Sequence, residues 1–242
     1  MNVPDFYRFR EWQREFDTRY SSGGLPALSL VRLPHDHTGN YSTALAGVNT
    51  PELQDADNDY AVGLLVEKIA HSQYAQNTLI FVIEDDAQDG GDHVDAHRST
   101  AYIAGPYVKH HAVVSTEYNT VNFVRTMEEI LGLTPLNLND SIALPMSDVF
   151  DITRKEWDFT AKPSLLLYNT TLPLPPLSTG LSIPKPKKSA AYWARVTRGF
   201  DFSKEDLVDG KAYNRVLWKG LMGGKPYPTA GATSKHSNKT KE

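Results

Sequence analysis

Residues 78–83 (TLIFVI) are apolar after the first position, and three acids follow at once, Glu84, Asp85 and Asp86. An unbroken apolar run of this length is typical of a parallel strand that is buried on both faces. Acids placed directly after such a strand lie at the carboxyl-end edge of the sheet, where open α/β folds bind ligands. This segment therefore predicts an α/β fold with a parallel sheet, and a ligand-binding site at the carboxyl-end edge of that sheet.

The remaining pattern alternates short apolar runs with helical periodicity, which favours an α/β fold with a mainly parallel sheet flanked by helices. Further strands are predicted at residues 28–33 and 99–104. Helices are predicted at residues 6–20, 60–69 and 119–131, the last stopped by Gly132. A final short helix is predicted to open at residues 201–206, with Ser203 as its N-cap.

Composition divides the chain into three parts. Residues 1–160 carry the α/β pattern, and residues 161–230 form a proline-rich extension that wraps the domain and contains the last short helix. Residues 231–242 are rich in Ser, Thr and Lys and are expected to form a disordered tail.

Charge and cysteine content exclude several classes of protein. The net charge of -4 over 242 residues argues against nucleic-acid binding through a broad basic face. The chain has no cysteine, which excludes disulfides, thiolate metal sites and cysteine nucleophiles. No apolar run is long enough to span a membrane, and the N-terminus lacks the apolar stretch of a signal peptide.

Histidines and acids gather in three clusters next to predicted strands. Asp36 and His37 follow the first strand, and Asp85 and Asp86 follow the second. The third cluster, residues 91–98, leads into the strand at 99–104. Carboxylate and imidazole ligands suit a divalent cation such as Zn, Mn, Fe or Ca. The calcium loop of an EF-hand, the HExxH zinc motif and the GxSxG elbow are all missing.

Four segments resemble bacterial phosphoesterases of the phospholipase C and acid phosphatase type, in the alkaline-phosphatase superfamily. They are LPHDHTGN, ADNDYAVGLLVEKI, FVIEDDAQDGGDHVDAHRSTAYIAGPYV and NTVNFVRTMEEILGL, within residues 5–150, with a looser match at DFSKEDLVDGKAYNRVLW. The resemblance implies the C-terminal part of a metal-dependent domain that hydrolyses phosphate esters.

The resemblance also implies a ligand set. The strand-end pair falls on Asp85 and Asp86, and the isolated histidine falls on His97, with His93 as the competitor. Asp36 and His37 match an Asp…His element whose members are farther apart in better-known relatives, so the number of metals stays open. Further residues are implied around the ligands: Asp92, Asp95, His93 and Glu84 as orienting or alternative ligands, His35 as an orienting or surface residue, and Arg98 as a contact for the substrate phosphate.

One catalytic element of the family has no counterpart in this chain. Relatives have an N-terminal strand that ends in an acidic ligand, then a Ser or Thr nucleophile at a helix N-terminus. Neither element precedes residue 25, and the hydroxyls of Thr38, Ser42 and Thr43 follow a different strand. We therefore expect metal ligands without a nucleophile, and little phosphatase activity from this chain alone.

The expected partners are a small phosphate ester or a phospholipid, and an upstream domain of the same gene. Family members are often exported, and the compartment of this chain stays open. Two rival hypotheses remain at this stage. The first is a catalytically inactive metal-binding or interaction module, and the second is an α/β binding domain without metal.

Overall fold

The structure, a computed structural model, describes residues 2–84, 99–204 and 207–228. Within these ranges the fold is mixed α/β, with helices and one small sheet. The main elements in chain order are α1 (Asp5–Arg19), α2 (Pro51–Ala70), β1 (Ile80–Ile83), β2 (Ala101–Ala104), α3 (Thr120–Leu131), α4 (Leu138–Ile142), α5 (Ala190–Val196) and α6 (Gly210–Leu221). None of the described helices combines the length and apolar character that crossing a lipid bilayer requires.

Helices α1 and α2 pack together and form the main core. The buried face of α1 carries Phe6, Phe9 and Phe16, at the helical spacing that the sequence predicts. Helix α2 begins nine residues before the predicted start, because the Thr50 hydroxyl accepts a hydrogen bond from the Leu53 amide and caps it. Asp57, which precedes the predicted start, therefore lies inside the helix.

The prediction of a mainly parallel sheet is wrong for the described residues. Strands β1 and β2 pair antiparallel, with Ile80 opposite Ala104 and Ile83 opposite Ala101, and they form a sheet of two strands. A parallel connection needs a crossover of a dozen or more residues, usually a helix with an apolar face. The sequence between the strands is polar, with Val94 as its one large aliphatic residue, so it offers no such face.

The strand predicted at residues 28–33 is also absent. Leu28, Leu30 and Val31 are 51%, 88% and 41% exposed, and the described strands pair only with each other. An apolar run becomes a strand only where another backbone edge offers hydrogen-bond partners. This segment therefore leads into the loop at residues 34–37 without strand pairing among the described residues.

The small sheet packs on α3 and forms a second core. Phe123 of α3, Met146 and Val149 are buried there, and Phe81 of β1 and Ile103 of β2 lie against them. Asn119 and Asn122 form a capping box at the start of α3. Gly132 ends the helix at φ 67°, the left-handed conformation that favours glycine, as predicted.

The proline-rich segment lacks long regular elements and contributes to the main core. It contains a short 3₁₀-helix, Leu165–Asn169, and its Leu167 and Leu172 are buried with residues of α1 and α2. The helix predicted to open at Ser203 instead begins at Gly210, since the Asp209 carboxylate accepts a hydrogen bond from the Ala212 amide and caps α6. Residues 201–204 are not helical.

Candidate functional site

The loop that carries Asp36 and His37 is fixed by a buried polar network. His35, Asp5 and Asp57 are each 0% exposed. The His35 ring nitrogen Nδ1 lies 2.6 Å from Asp57 Oδ2, and the His35 backbone amide donates to Asp5 Oδ2 at 2.8 Å. Asn58 donates to both Asp5 Oδ2 and the Leu33 carbonyl. The loop is therefore held at His35 through both its side chain and its backbone.

Asp57 lies in α2 and also caps the N-terminus of α1. Its carboxylate accepts hydrogen bonds from the backbone amides of Asp5 at 2.6 Å and Phe6 at 3.1 Å, in the first turn of α1. The adjacent N-cap residue, Pro4, supplies no side-chain bond. A carboxylate at this position satisfies amides that the helix itself cannot, and it interacts favourably with the helix dipole. Asp57 therefore joins α1, α2 and the loop.

Asp5, His35 and Asp57 could hold a metal ion, because one ligand atom from each lies within 4.8 Å of the others. The fit is nonetheless imperfect. The 2.6 Å between His35 Nδ1 and Asp57 Oδ2 is a hydrogen-bond distance, and two atoms bound to one metal at about 2.0–2.1 Å in tetrahedral geometry stand farther apart. The hydrogen bonds already satisfy Asp57, so we assign this group first to positioning the loop.

Asp5 is the member of this group whose charge is least favoured by its surroundings. Burial raises its pKa above the ordinary value, and hydrogen bonds from the His35 amide and Asn58 offset part of this effect. Its Oδ1 has no hydrogen bond from any described residue, although Arg8 Nε forms an ion pair with it at 3.2 Å. An ionised carboxylate at this depth depends on that ion pair and those hydrogen bonds.

Acids from three parts of the chain converge beside the loop. Burial raises the pKa of Asp55 to about 7, and the charges of Asp36, Glu52 and Glu84 add to the shift. Part of the Asp55 surface is exposed to solvent, and the rest lies among protein atoms and negatively charged neighbours. Asp36 lies on the loop, Glu52 in the first turn of α2, and Glu84 directly after β1. Such an arrangement is unfavourable without a cation or protons.

Two buried polar atoms near this cluster have no hydrogen bond from any described residue. They are Glu52 Oε2 and His37 Nδ1. The other carboxylate oxygen of Glu52 accepts from the Lys187 amide at 2.9 Å. A carboxylate oxygen and an imidazole nitrogen are both ligands for borderline divalent metals. The donor chemistry on this side of the loop therefore suits a cation, although no close three-ligand group forms here among the described residues.

Four of the sequence-predicted residues lie within the described ranges. Asp36 is exposed and His37 is half-buried. Glu84 directly follows β1, and its carboxylate accepts a hydrogen bond from the Thr100 amide at 3.3 Å. His35 is fully buried, which excludes the surface alternative and leaves the orienting one. The other predicted residues lie outside the described ranges: Asp85, Asp86, Asp92, His93, Asp95, His97 and Arg98.

The sequence analysis missed Asp5, Asp57 and Asp55. Asp5 and Asp57 are 52 residues apart. Asp57 lies in the segment ADNDYAVGLLVEKI, but the resemblance assigned no role to it. The one available signal was Asp57 on the helical face of Leu53, Tyr60 and Ala61, because an acid on a buried face needs a partner. Asp55 gave no signal, since its raised pKa arises from neighbours that are distant in sequence.

The convergence of acids predicts a pH effect that Asp55→Asn should reduce. In the unfolded chain Asp55 titrates near 3.8 and in the folded chain near 7, so the folded state binds the proton more tightly. Stability from this group is therefore greatest at low pH and is lost as the pH rises from 3.8 to 7. We expect Asp55→Asn in EDTA to raise Tm at pH 8 by about 2–4 °C, allowing for screening of this exposed group, and to raise it by less than half of that at pH 5.

The matched control is Asp59→Asn, an exposed acid one turn farther along α2. Its Tm difference from wild type should not vary with pH. Parallel pH profiles for wild type and Asp55→Asn would contradict the electrostatic account. The measurement is thermal unfolding followed by circular dichroism between pH 5 and 8.

Comparisons of the chain with protein-family models, with curated proteins and with solved structures gave no match.

Proposed function

We propose that the chain is the metal-binding part of a phosphoesterase, a hydrolase that acts on phosphate ester bonds. The proposal is supported by three acids from separate parts of the chain, Asp36, Glu52 and Glu84, whose negative charges act on Asp55. Glu84 directly precedes Asp85 and Asp86 in sequence. Asp36 of the first cluster and Glu84, the residue before the second cluster, therefore both act on Asp55, which supports the proposal.

The ligands that we propose are Asp36 and His37 on the loop, completed by Asp85, Asp86 and His97. A divalent cation at this position supplies Lewis acidity toward phosphoryl oxygens. The His35–Asp57 pair holds the loop so that Asp36 and His37 stay in place. Asp55, with a pKa near 7, can hold or release a proton at neutral pH and is our candidate for general acid–base catalysis.

No nucleophile is assigned among the described hydroxyls. Thr38, the hydroxyl nearest the loop in sequence, is buried, and its Oγ1 lies 3.2 Å from the Tyr213 hydroxyl. A group packed in this way contributes to structure, and we assign no attack on phosphorus to it. The proposal therefore concerns cation binding and stabilisation of a phosphoryl transition state, which an experiment can test without turnover.

Metal content and vanadate binding test the proposal together. We expect wild-type protein to retain about one divalent ion per chain and to bind vanadate, a mimic of the phosphoryl transition state, only when that metal is present. Asp36→Asn and Asp86→Ala should each lose most of the metal, because each removes a proposed ligand. Elemental mass spectrometry and vanadate titration followed by ⁵¹V NMR give the two readouts.

Asp59→Asn is again the matched control and should keep both properties. Metal binding without any vanadate binding would favour the rival hypothesis of an inactive metal-binding module. Equal metal content in wild type, Asp36→Asn and Asp86→Ala would contradict the ligand assignment. Rapid, chelator-sensitive hydrolysis of p-nitrophenyl phosphate would instead show that a hydroxyl of this chain serves as nucleophile.

A further inference from the structure

Large aliphatic side chains are exposed together on the α3–α4 unit, which comprises α3, α4 and the chain between and after them, residues 120–144. Six of them are 49–80% exposed: Ile130, Leu133, Leu136, Leu138, Ile142 and Leu144. Single exposed apolar residues are ordinary on a protein surface, whereas a group of them on one small unit marks an interaction site. This unit is therefore the strongest candidate for a contact surface among the described residues.

Hydrogen bonds hold the six side chains close to one another. The Leu133 amide donates to the Glu128 carbonyl at 2.9 Å, near the end of α3. Asn122, near the start of α3, donates a side-chain hydrogen bond to the Leu144 carbonyl at 2.9 Å. The chain between Leu133 and Leu144 therefore runs back along α3, whose 12 residues span about 18 Å. The exposed apolar side chains thus form one patch.

The patch carries almost no charge. Residues 130–144 include one charged side chain, Asp140, which is buried and accepts hydrogen bonds from the Leu136 and Asn137 amides at 2.5 and 2.9 Å. Two copies of the patch that face each other about a twofold axis would therefore bring no exposed like charges together. Six such side chains expose on the order of several hundred Å², comparable with the about 800 Å² that each partner buries in a standard interface.

Other occupants of the patch fit less well. The two longest stretches outside the described ranges have too few apolar residues to cover it, since residues 85–98 contain one large aliphatic residue and residues 229–242 contain none. An anionic lipid surface favours Lys and Arg around an apolar face. Residues 117–148 instead contain five acids and one cation, Arg125, which pairs with Glu128 and Glu129. The charge pattern therefore favours a second copy of the chain.

We propose that the α3–α4 unit is the contact surface of a homodimer, in which the patch of one copy packs on the same patch of a second copy. The aliphatic side chains form the centre of this contact, and the exposed amides of Asn137 and Asn139 supply uncharged hydrogen-bonding groups beside them. The contact uses none of the proposed metal ligands, so it stands independently of the proposed function.

Sedimentation equilibrium in EDTA tests the dimer without the metal. We expect wild-type protein to shift, as its concentration rises, from the 27.0 kDa of one chain to twice that mass. Leu136→Asp and Leu138→Asp should each raise the dimer Kd at least about tenfold, because a twofold contact would then contain two new negative charges among apolar side chains. Both side chains are mostly exposed, so the variants are expected to fold, and far-UV circular dichroism checks this.

The matched control is Leu30→Asp, because Leu30 is equally exposed but lies outside the α3–α4 unit. It should dimerise like wild type. The proposal would be overturned by wild-type protein that stays at 27.0 kDa over the concentration series, or by a dimer that the two variants and the control affect equally. Monomeric wild-type protein that binds phosphatidylcholine vesicles, with binding lost in both variants, would overturn it in favour of a lipid surface. None of these outcomes bears on the metal site, which the metal-content measurement tests separately.

Discussion

Asp57→Ala is expected to lower the free energy of unfolding by about 3–5 kcal/mol, the range found when one partner of a buried charged network is removed. The substitution takes away the acceptor of three donors: the Asp5 and Phe6 amides and the His35 ring. Each of these groups is buried, and water cannot replace the carboxylate without opening the core. Since an ordinary domain has about 5–15 kcal/mol in total, the variant should be close to unfolding.

Urea denaturation followed by tryptophan fluorescence measures this loss. Asp57→Asn keeps one carbonyl acceptor and should cost about 1–3 kcal/mol, which gives a measurable variant if the alanine protein does not fold. Asp59→Ala, two residues along α2 and exposed, should change the free energy by less than about 0.5 kcal/mol. A cost below 1 kcal/mol for Asp57→Ala would show that the network contributes little.

The helices were predictable because their signals are local. α1 has aromatic residues at helical spacing, and α3 has Asn119 at its start and Gly132 at its end. These features act within a few residues, so the sequence alone shows them. The start of α6 was misplaced because Ser203 and Asp209 are both plausible caps, and only the packing of Tyr213 on the loop favours the second.

The sheet was predicted less well because pairing depends on distant residues. The apolar runs at residues 78–83 and 99–104 contain the strands β1 and β2, but their composition does not determine direction. The run at residues 28–33 is also rich in apolar residues, yet it has no strand partner among the described residues. Strand propensity shows that a segment can form a strand, but whether it does so depends on a neighbouring strand with which it can pair.

The sequence analysis selected two acids that the structure brings near a third, and it missed the residues that hold the loop. Asp36, His37 and Glu84 were selected because they follow apolar runs, and the structure places Asp36 and Glu84 within electrostatic range of one acid, Asp55. The residues that hold the loop, Asp5 and Asp57, belong to helices whose contacts arise only on folding. Sequence patterns indicate candidate ligands, whereas the residues that hold those ligands in position are seen only in the tertiary structure.

The second large effect is expected from metal binding to the folded chain. A ligand that binds only the folded state at a hundred times its Kd adds about 2.7 kcal/mol of stability. For a chain of 242 residues this corresponds to a rise in Tm of about 5–10 °C relative to EDTA. We expect that rise at pH 8 with at least one of Zn, Mn and Ca, because a cation offsets the repulsion among Asp36, Glu52, Asp55 and Glu84.

The same measurement at two pH values and on two variants identifies the site. Protonation of Asp55, whose pKa is about 7, removes one of the negative charges that attract the cation, so the rise in Tm should be smaller at pH 6 than at pH 8. Asp36→Asn should lose most of the rise, while Asp59→Asn should keep it. A full rise in Asp36→Asn would move the cation to the buried group of Asp5, His35 and Asp57, which could also hold a metal. A Tm at pH 8 that none of the three metals changes would refute a metal site in this chain, because ligands that bind no cation cannot stabilise the fold through it.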